Sequence, residues 1–317
     1  MKVIKLGLAA ILTAGLCFTG LYFYDYDKFY WLYRCFRYAP SGASCSNPTD
    51  HDFTVDFYGM KYMGNTQNLI DRSILFVGAY EKPILYFMRD VMNSIYGGNG
   101  AFVDVGANTG QHSIFMSRYA KEIHAFEPYE PVLLKFRNMI AINELKNITV
   151  HPVGLGSENV KKRFYKPHET NIGTGSFVEG FKNENTPYDE LEIQKGDDAL
   201  RKAGVSRVAL IKIDIEGFEK PALLGLGQTL SAHRPVVVFE ITLGLNHPDA
   251  FTSREDLSAA FPRDYDFLVF RKPHALAMGT YHLTELGRDL RFDVASQYDF
   301  VAFPKEKSRQ LPRSNSK

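Results

Sequence analysis

From residue 101 onward the chain repeats one unit, a short apolar run followed by an amphipathic stretch of helical period, and this repeat restricts the fold more than any other feature. Ala101–Val105 reads as a strand, and Gln111–Tyr119 as the helix after it. Ile123–Phe126 and Ile148–Val153 give two more strands, with a helix over Pro131–Ile142 between them. Val208–Ile213 and Val236–Ile241 are the fourth and fifth, separated by a helix over Lys220–Leu230. Fully apolar strands that alternate with helices imply parallel strands covered on both faces. After a helix at Arg254–Phe261, Phe267–Phe270 and Phe300–Phe303 add two strands with no helix between them, an antiparallel pair that closes the sheet. The expected fold is a doubly wound α/β domain around a mostly parallel, seven-stranded sheet, spanning residues 101–305.

The flanks are of different character. Val3 to Phe23 is apolar apart from Lys5 and two threonines, and at about 1.5 Å per residue it is as long as a bilayer core is thick. Tyr22, Phe23, Tyr24, Tyr26, Tyr30 and Trp31 follow as an interfacial belt, and no small-residue cleavage site intervenes. An uncleaved transmembrane anchor over 1–24 is expected, followed by a juxtamembrane segment and linker over 25–50. Basic residues lie on both sides of the span, so its orientation stays open. Residues 51–100 form an extension expected to pack on the core, with strands between His51 and Gly64 and a helix from Glu81 to Tyr96. Residues 154–207 break the repeat and read as a lid or substrate-binding excursion with a hairpin near Val160–Tyr165. The basic tail 306–317 is expected to be disordered.

Composition excludes some functions. The formal net charge is +1 and the basic residues are scattered, which argues against a nucleic-acid partner. Cys17, Cys35 and Cys45 are the only cysteines, so the main body has no thiol nucleophile, cysteine zinc site or disulfide.

Three motifs carry chemistry. Asp104-Val105-Gly106-Ala107-Asn108-Thr109-Gly110 ends the first strand, where open α/β sheets bind ligands. Gly106 and Gly110 allow a sharp turn and close backbone approach, and Asp104 offers a carboxylate to a ligand ammonium. The spacing differs from the G-x-G-x-x-G turn that seats a pyrophosphate, and suits a cationic ligand without phosphate. Glu127, in Ala125-Phe126-Glu127-Pro128, ends the second strand where an acid accepts hydrogen bonds from ribose hydroxyls; a helix-capping role is the blander reading. Lys212-Ile213-Asp214-Ile215-Glu216-Gly217-Phe218-Glu219 gathers three acids and a lysine where the fourth strand meets its helix. The structural alternative there is capping by Glu216 and Glu219 with a Lys212–Asp214 pair. Glu240 ends the fifth strand on the same edge.

In this order the motifs resemble the FkbM-type methyltransferases, which carry DVGANxG, AFEP, KIDxEGxE and a strand ending in an acid after a proline. Asp197-Asp198-Ala199-Leu200 stands where that family has an LDDLL-like segment, with Gly196 in place of the leading leucine. The resemblance implies a class I, Rossmann-like methyltransferase that uses S-adenosyl-L-methionine to methylate a hydroxyl of a glycan, glycolipid or polyketide-type small molecule. On that reading Asp104, Gly106, Asn108, Gly110 and Glu127 hold the cosubstrate, and Asp214, Glu216 and Lys212 are the catalytic candidates. Glu219 and Glu240 are the candidates for binding the acceptor, and His168 and His247 are alternatives to Glu216 as base. A cytosolic cosubstrate favours a cytosolic catalytic domain. No metal is expected, because Asp214, Glu216 and Glu240 lack a histidine or further acid to complete a ligand set. An inactive membrane-tethered binding protein and a dinucleotide or nucleotide-sugar enzyme are the competing functions; the intact acids and the glycine spacing argue against them.

Overall fold

The computed structural model describes residues 50–167, 173–181, 186–271, 279–287 and 290–315. The expected membrane anchor, the three cysteines and His168 lie outside these residues. Among the described residues no helix is long and apolar enough to cross a membrane.

The central sheet has eight strands rather than seven. Its parallel part contains β3 (Ala101–Val105), β4 (Glu122–Phe126), β5 (Ile148–His151), β9 (Val208–Ile213) and β10 (Val236–Leu243). β11 (Tyr265–Phe270) and β13 (Ser296–Pro304) run antiparallel, with β13 inserted between β10 and β11. The unexpected strand is β12 (Leu283–Glu285), three residues on the outer edge of β11. A strand of three residues has too little pattern to be read from a sequence.

The order β12-β11-β13-β10-β9-β3-β4-β5 places β3 beside β9, with the chain winding outward from β3 to one edge and from β9 to the other. That switch point opens a crevice at the carboxyl ends of the two strands. Both strands are buried along their whole length. Phe102 and Leu210 enter the core on one face, and Val103, Val105, Ile211 and Ile213 the core on the other.

The first of these cores also takes in the N-terminal extension. β1 (Asp52–Phe57) and β2 (Met60–Asn65) form a hairpin whose Phe57 and Tyr62 pack with α1 (Leu69–Val77), α2 (Lys82–Val91) and α3 (Gln111–Met116). Asn68 caps α1 by accepting bonds from the backbone of Ile70 and Asp71. Asp71 is buried and pins the extension to the rest: its carboxylate accepts from Tyr62 Oη at 2.9 Å and from Asn65 N at 2.8 Å, and pairs with Lys135 on α4 (Glu130–Ile142).

The excursion is a small sheet, not a local hairpin. β7 (Val160–Lys166) pairs with the distant β8 (Thr186–Lys195), which also pairs with β6 (Gly154–Gly156). Asp197, in α5 (Gly196–Lys202), accepts from Gln228 N and Thr229 N and so caps α7 (Gly227–His233). The helix expected over Lys220–Leu230 is broken in two, α6 (Glu219–Gly225) and α7. The C-terminal segment expected to be disordered is placed through Asn315: Leu311 is buried, and Leu283 N donates to Arg313 O.

Candidate active site

The turn after β3 and the turn after β9 meet at the switch point. Asp214 N donates to Val105 O at 3.0 Å, and Gly106 has φ +81°. A Cβ on Gly106 would overlap the carbonyl oxygen of Asp214, and one on Gly110 (φ +84°) would overlap the Phe136 ring. These glycines are therefore required by the protein's own packing, a demand additional to the close ligand approach the sequence suggested. Asn108, at φ +52°, completes the turn and turns its backbone N–H toward Glu127 Oε2 at 3.0 Å.

Two clefts flank this junction, and Gly106, Asn108, Gly173 and Asp214 line both. The first is largely apolar, bounded by Phe126, Glu127, Tyr129, Val132, Leu155, Phe164 and Phe177. Tyr129 stacks on Phe164 at 5.5 Å, and Phe177 meets Phe164 edge-on at 5.2 Å. Glu127 faces these rings, and Asp214 is the second acid of the cleft. The two oxygens of Glu127 are fixed by Asn108 N and Tyr129 N, and burial raises its pKa to about 7 against those two bonds.

The second cleft is polar and includes Tyr80, His112, Lys212, Asp214, Glu216 and Glu240. Lys212 Nζ lies 2.9 Å from Asp214 Oδ2 and 3.8 Å from Glu81 Oε2. Burial opposes its charge, but the carboxylates of Asp214, Glu81 and Asp104 outweigh burial and hold its pKa above the ordinary lysine value. A lysine so held stays protonated, which removes it as a proton acceptor. Burial, followed by the charges of Asp214, Glu81, Asp299 and Glu216, raises Glu240 to about pKa 10. Gln297 donates to its Oε1.

Not every candidate reaches a cleft. Asp104 is buried beneath the turn, where Oδ2 accepts from Ser113 Oγ at 2.6 Å and Oδ1 has no hydrogen-bond partner. The Glu219 carboxylate accepts from Ile215 N and Gly217 N, each at 3.1 Å, and lines neither cleft. It caps the turn, the structural alternative, although burial raises its pKa to about 8. His247 accepts from Asp249 N and lies outside both clefts. Sequence reasoning passed over Tyr80, Glu81, His112, Gln297 and Asp299. His112 was detectable as a polar residue just after the glycine turn; the others lie outside any motif.

A sequence model described as Methyltransferase FkbM domain matches residues 104–265, from the acid under the turn to the start of β11. The chain belongs to the FkbM methyltransferase family. S-adenosyl-L-methionine is the methyl donor of this family of enzymes. A relative named Methyltransferase 1, from Beauveria bassiana (strain ARSEF 2860), is 27% identical over 142 residues, covering 39% of this chain and 57% of that one. The solved FkbM methyltransferase of Methylobacillus flagellatus KT is similar over 73% of this chain and 54% of its own, with 17% identity and a TM-score of 0.41. The methyltransferase SMU.1697c of Streptococcus mutans, solved with SAH, is similar over 70% and 97%, with 12% identity and a TM-score of 0.39. The chain thus spans less than two thirds of the length of the first two of these proteins.

Proposed function

We propose that this protein transfers a methyl group from S-adenosyl-L-methionine to a hydroxyl of a glycan, glycolipid or polyketide-type acceptor. The observation that carries the reading is Glu127, a carboxylate fixed by two backbone N–H groups in an aromatic-lined cleft at the switch point. Such a cleft suits a nucleoside, with Glu127 accepting from the ribose hydroxyls and Tyr129, Phe164 and Phe177 enclosing the base. The unpartnered Oδ1 of Asp104 fits a cationic ligand, its charge reaching the junction from below. Bound there, the cosubstrate supplies a methyl group already activated on a sulfonium.

The chain's own residues then have two tasks, alignment and proton removal. Lys212 fixes the Asp214 carboxylate at the junction of the two clefts, which sets the approach to the methyl. Glu216 lines the polar cleft and is the base for the acceptor hydroxyl. The apolar run over 1–24 supports an acceptor borne by a membrane, such as a lipid-linked glycan.

Calorimetry of the full chain with S-adenosylhomocysteine and, separately, with NAD tests the cosubstrate. Micromolar binding of the first alone is expected, and heat from NAD alone overturns the reading. With labelled donor, the label should enter the glycan or lipid fraction and survive mild base, as an ether does and a methyl ester does not.

A further inference from the structure

Three carboxylates from distant parts of the chain converge beside the polar cleft. Glu81 precedes α2, Glu240 lies on β10 and Asp299 on β13, and one carboxylate oxygen from each lies within 4.8 Å of the others. Glu240 and Asp299 are directly opposed across the antiparallel pairing of β10 with β13. Carboxylates in that position repel when both are ionised, and these are only partly exposed to solvent that would screen them, so they ionise together only beside a counter-charge. The nearby Lys212 is 3.8 Å from Glu81 but sits closer to Asp214, at 2.9 Å.

A second observation points to a ligand. The His112 ring is about nine-tenths buried, and its Nε2 has no hydrogen-bond partner. It lies 3.3 Å from Glu81 Oε2, within ion-pair distance but not aligned for a hydrogen bond, and that oxygen is likewise buried and unbonded. Two orphaned polar atoms at the edge of an acidic cluster are what a hydrated cation would satisfy, since its bound waters donate hydrogen bonds.

We propose that Glu81, Glu240 and Asp299 bind a divalent cation, with His112 accepting from its coordination shell. An all-oxygen set of three carboxylates selects a hard ion such as Mg²⁺, Mn²⁺ or Ca²⁺ over zinc or copper. The ion would neutralise the opposed carboxylates, and Glu240 would place it at the border of the polar cleft. There it would hold an oxygen of the acceptor; this last clause alone rests on the methyl-transfer reading.

The test is titration of the chelator-treated full chain with Mn²⁺, following the free ion by electron paramagnetic resonance, with and without S-adenosylhomocysteine. One tightly held Mn²⁺ per chain is expected, with a rise in melting temperature. Glu81→Gln combined with Asp299→Asn should weaken the ion by about tenfold or more, since two anionic ligands are lost. Glu255→Gln, an exposed acid on α8 (Arg254–Ala259), should bind Mn²⁺ as the wild type does. Absence of stoichiometric binding up to millimolar Mn²⁺, or undiminished binding in the double variant, overturns the site. Failure of S-adenosylhomocysteine to bind while Mn²⁺ does would overturn only the cosubstrate reading.

Discussion

Replacing Glu127 with glutamine changes one atom and separates the acid's two tasks. In the wild type Oε2 accepts from Asn108 N at 3.0 Å and Oε1 from Tyr129 N at 2.9 Å, so the side chain is held with an acceptor toward each N–H. A glutamine must turn its amide nitrogen toward one of those donors, leaving a buried clash worth about 1–3 kcal/mol. Opposing this, the variant no longer buries a charge. The wild-type group is raised from 4.5 to about 7 by burial, which amounts to roughly 3 kcal/mol at alkaline pH. The two effects nearly cancel at pH 8, so the melting temperature there should change little. Ligand affinity should not cancel. A charge-assisted bond to a ribose hydroxyl contributes about 1.5–3 kcal/mol, and losing one weakens S-adenosylhomocysteine by about 10- to 150-fold. Calorimetry across pH adds a second signature. Wild-type affinity should rise as pH passes through about 7 and the carboxylate ionises, whereas Glu127→Gln should give a flat profile in that range. Equal affinity of the two proteins at pH 8 would refute the ribose assignment.

Three further outcomes follow from the packing. Gly106→Ala places a Cβ against the Asp214 carbonyl at φ +81°, so the variant should melt lower and lose S-adenosylhomocysteine binding, as calorimetry would show. Asp71→Ala leaves Lys135 and Tyr62 without their buried partner and should cost about 3–5 kcal/mol in urea unfolding; a loss under 1 kcal/mol would show that the extension is not pinned there. Glu127, Glu219 and Glu240 are all raised above 4.5, to about 7, 8 and 10, so each binds its proton more tightly folded than unfolded. Their contribution is fully present below pH 4.5 and is lost as pH rises through the three folded values, and Glu127→Gln should lower the slope between pH 4.5 and 7 by about a third while leaving it unchanged above pH 7.

The sequence by itself determined the local elements and the motif acids. Ala101–Val105 and Val208–Ile213 were legible to the residue because a strand buried on both faces must be apolar throughout, and that demand is local. The glycine turn, Glu127 and the Lys212–Glu219 segment were legible because charged or flexible residues stand out where an apolar run ends. Tertiary structure decided what those residues touch. Gly106 is needed because the β9 turn crosses it, and Glu219 is consumed by the backbone of its own turn. Asp299 faces Glu240 only because β13 inserts between β10 and β11, and Glu81 and His112 arrive from helices packed outside the sheet. Periodicity records which residues are buried; strand order alone brings distant charges together, and no local pattern encodes it.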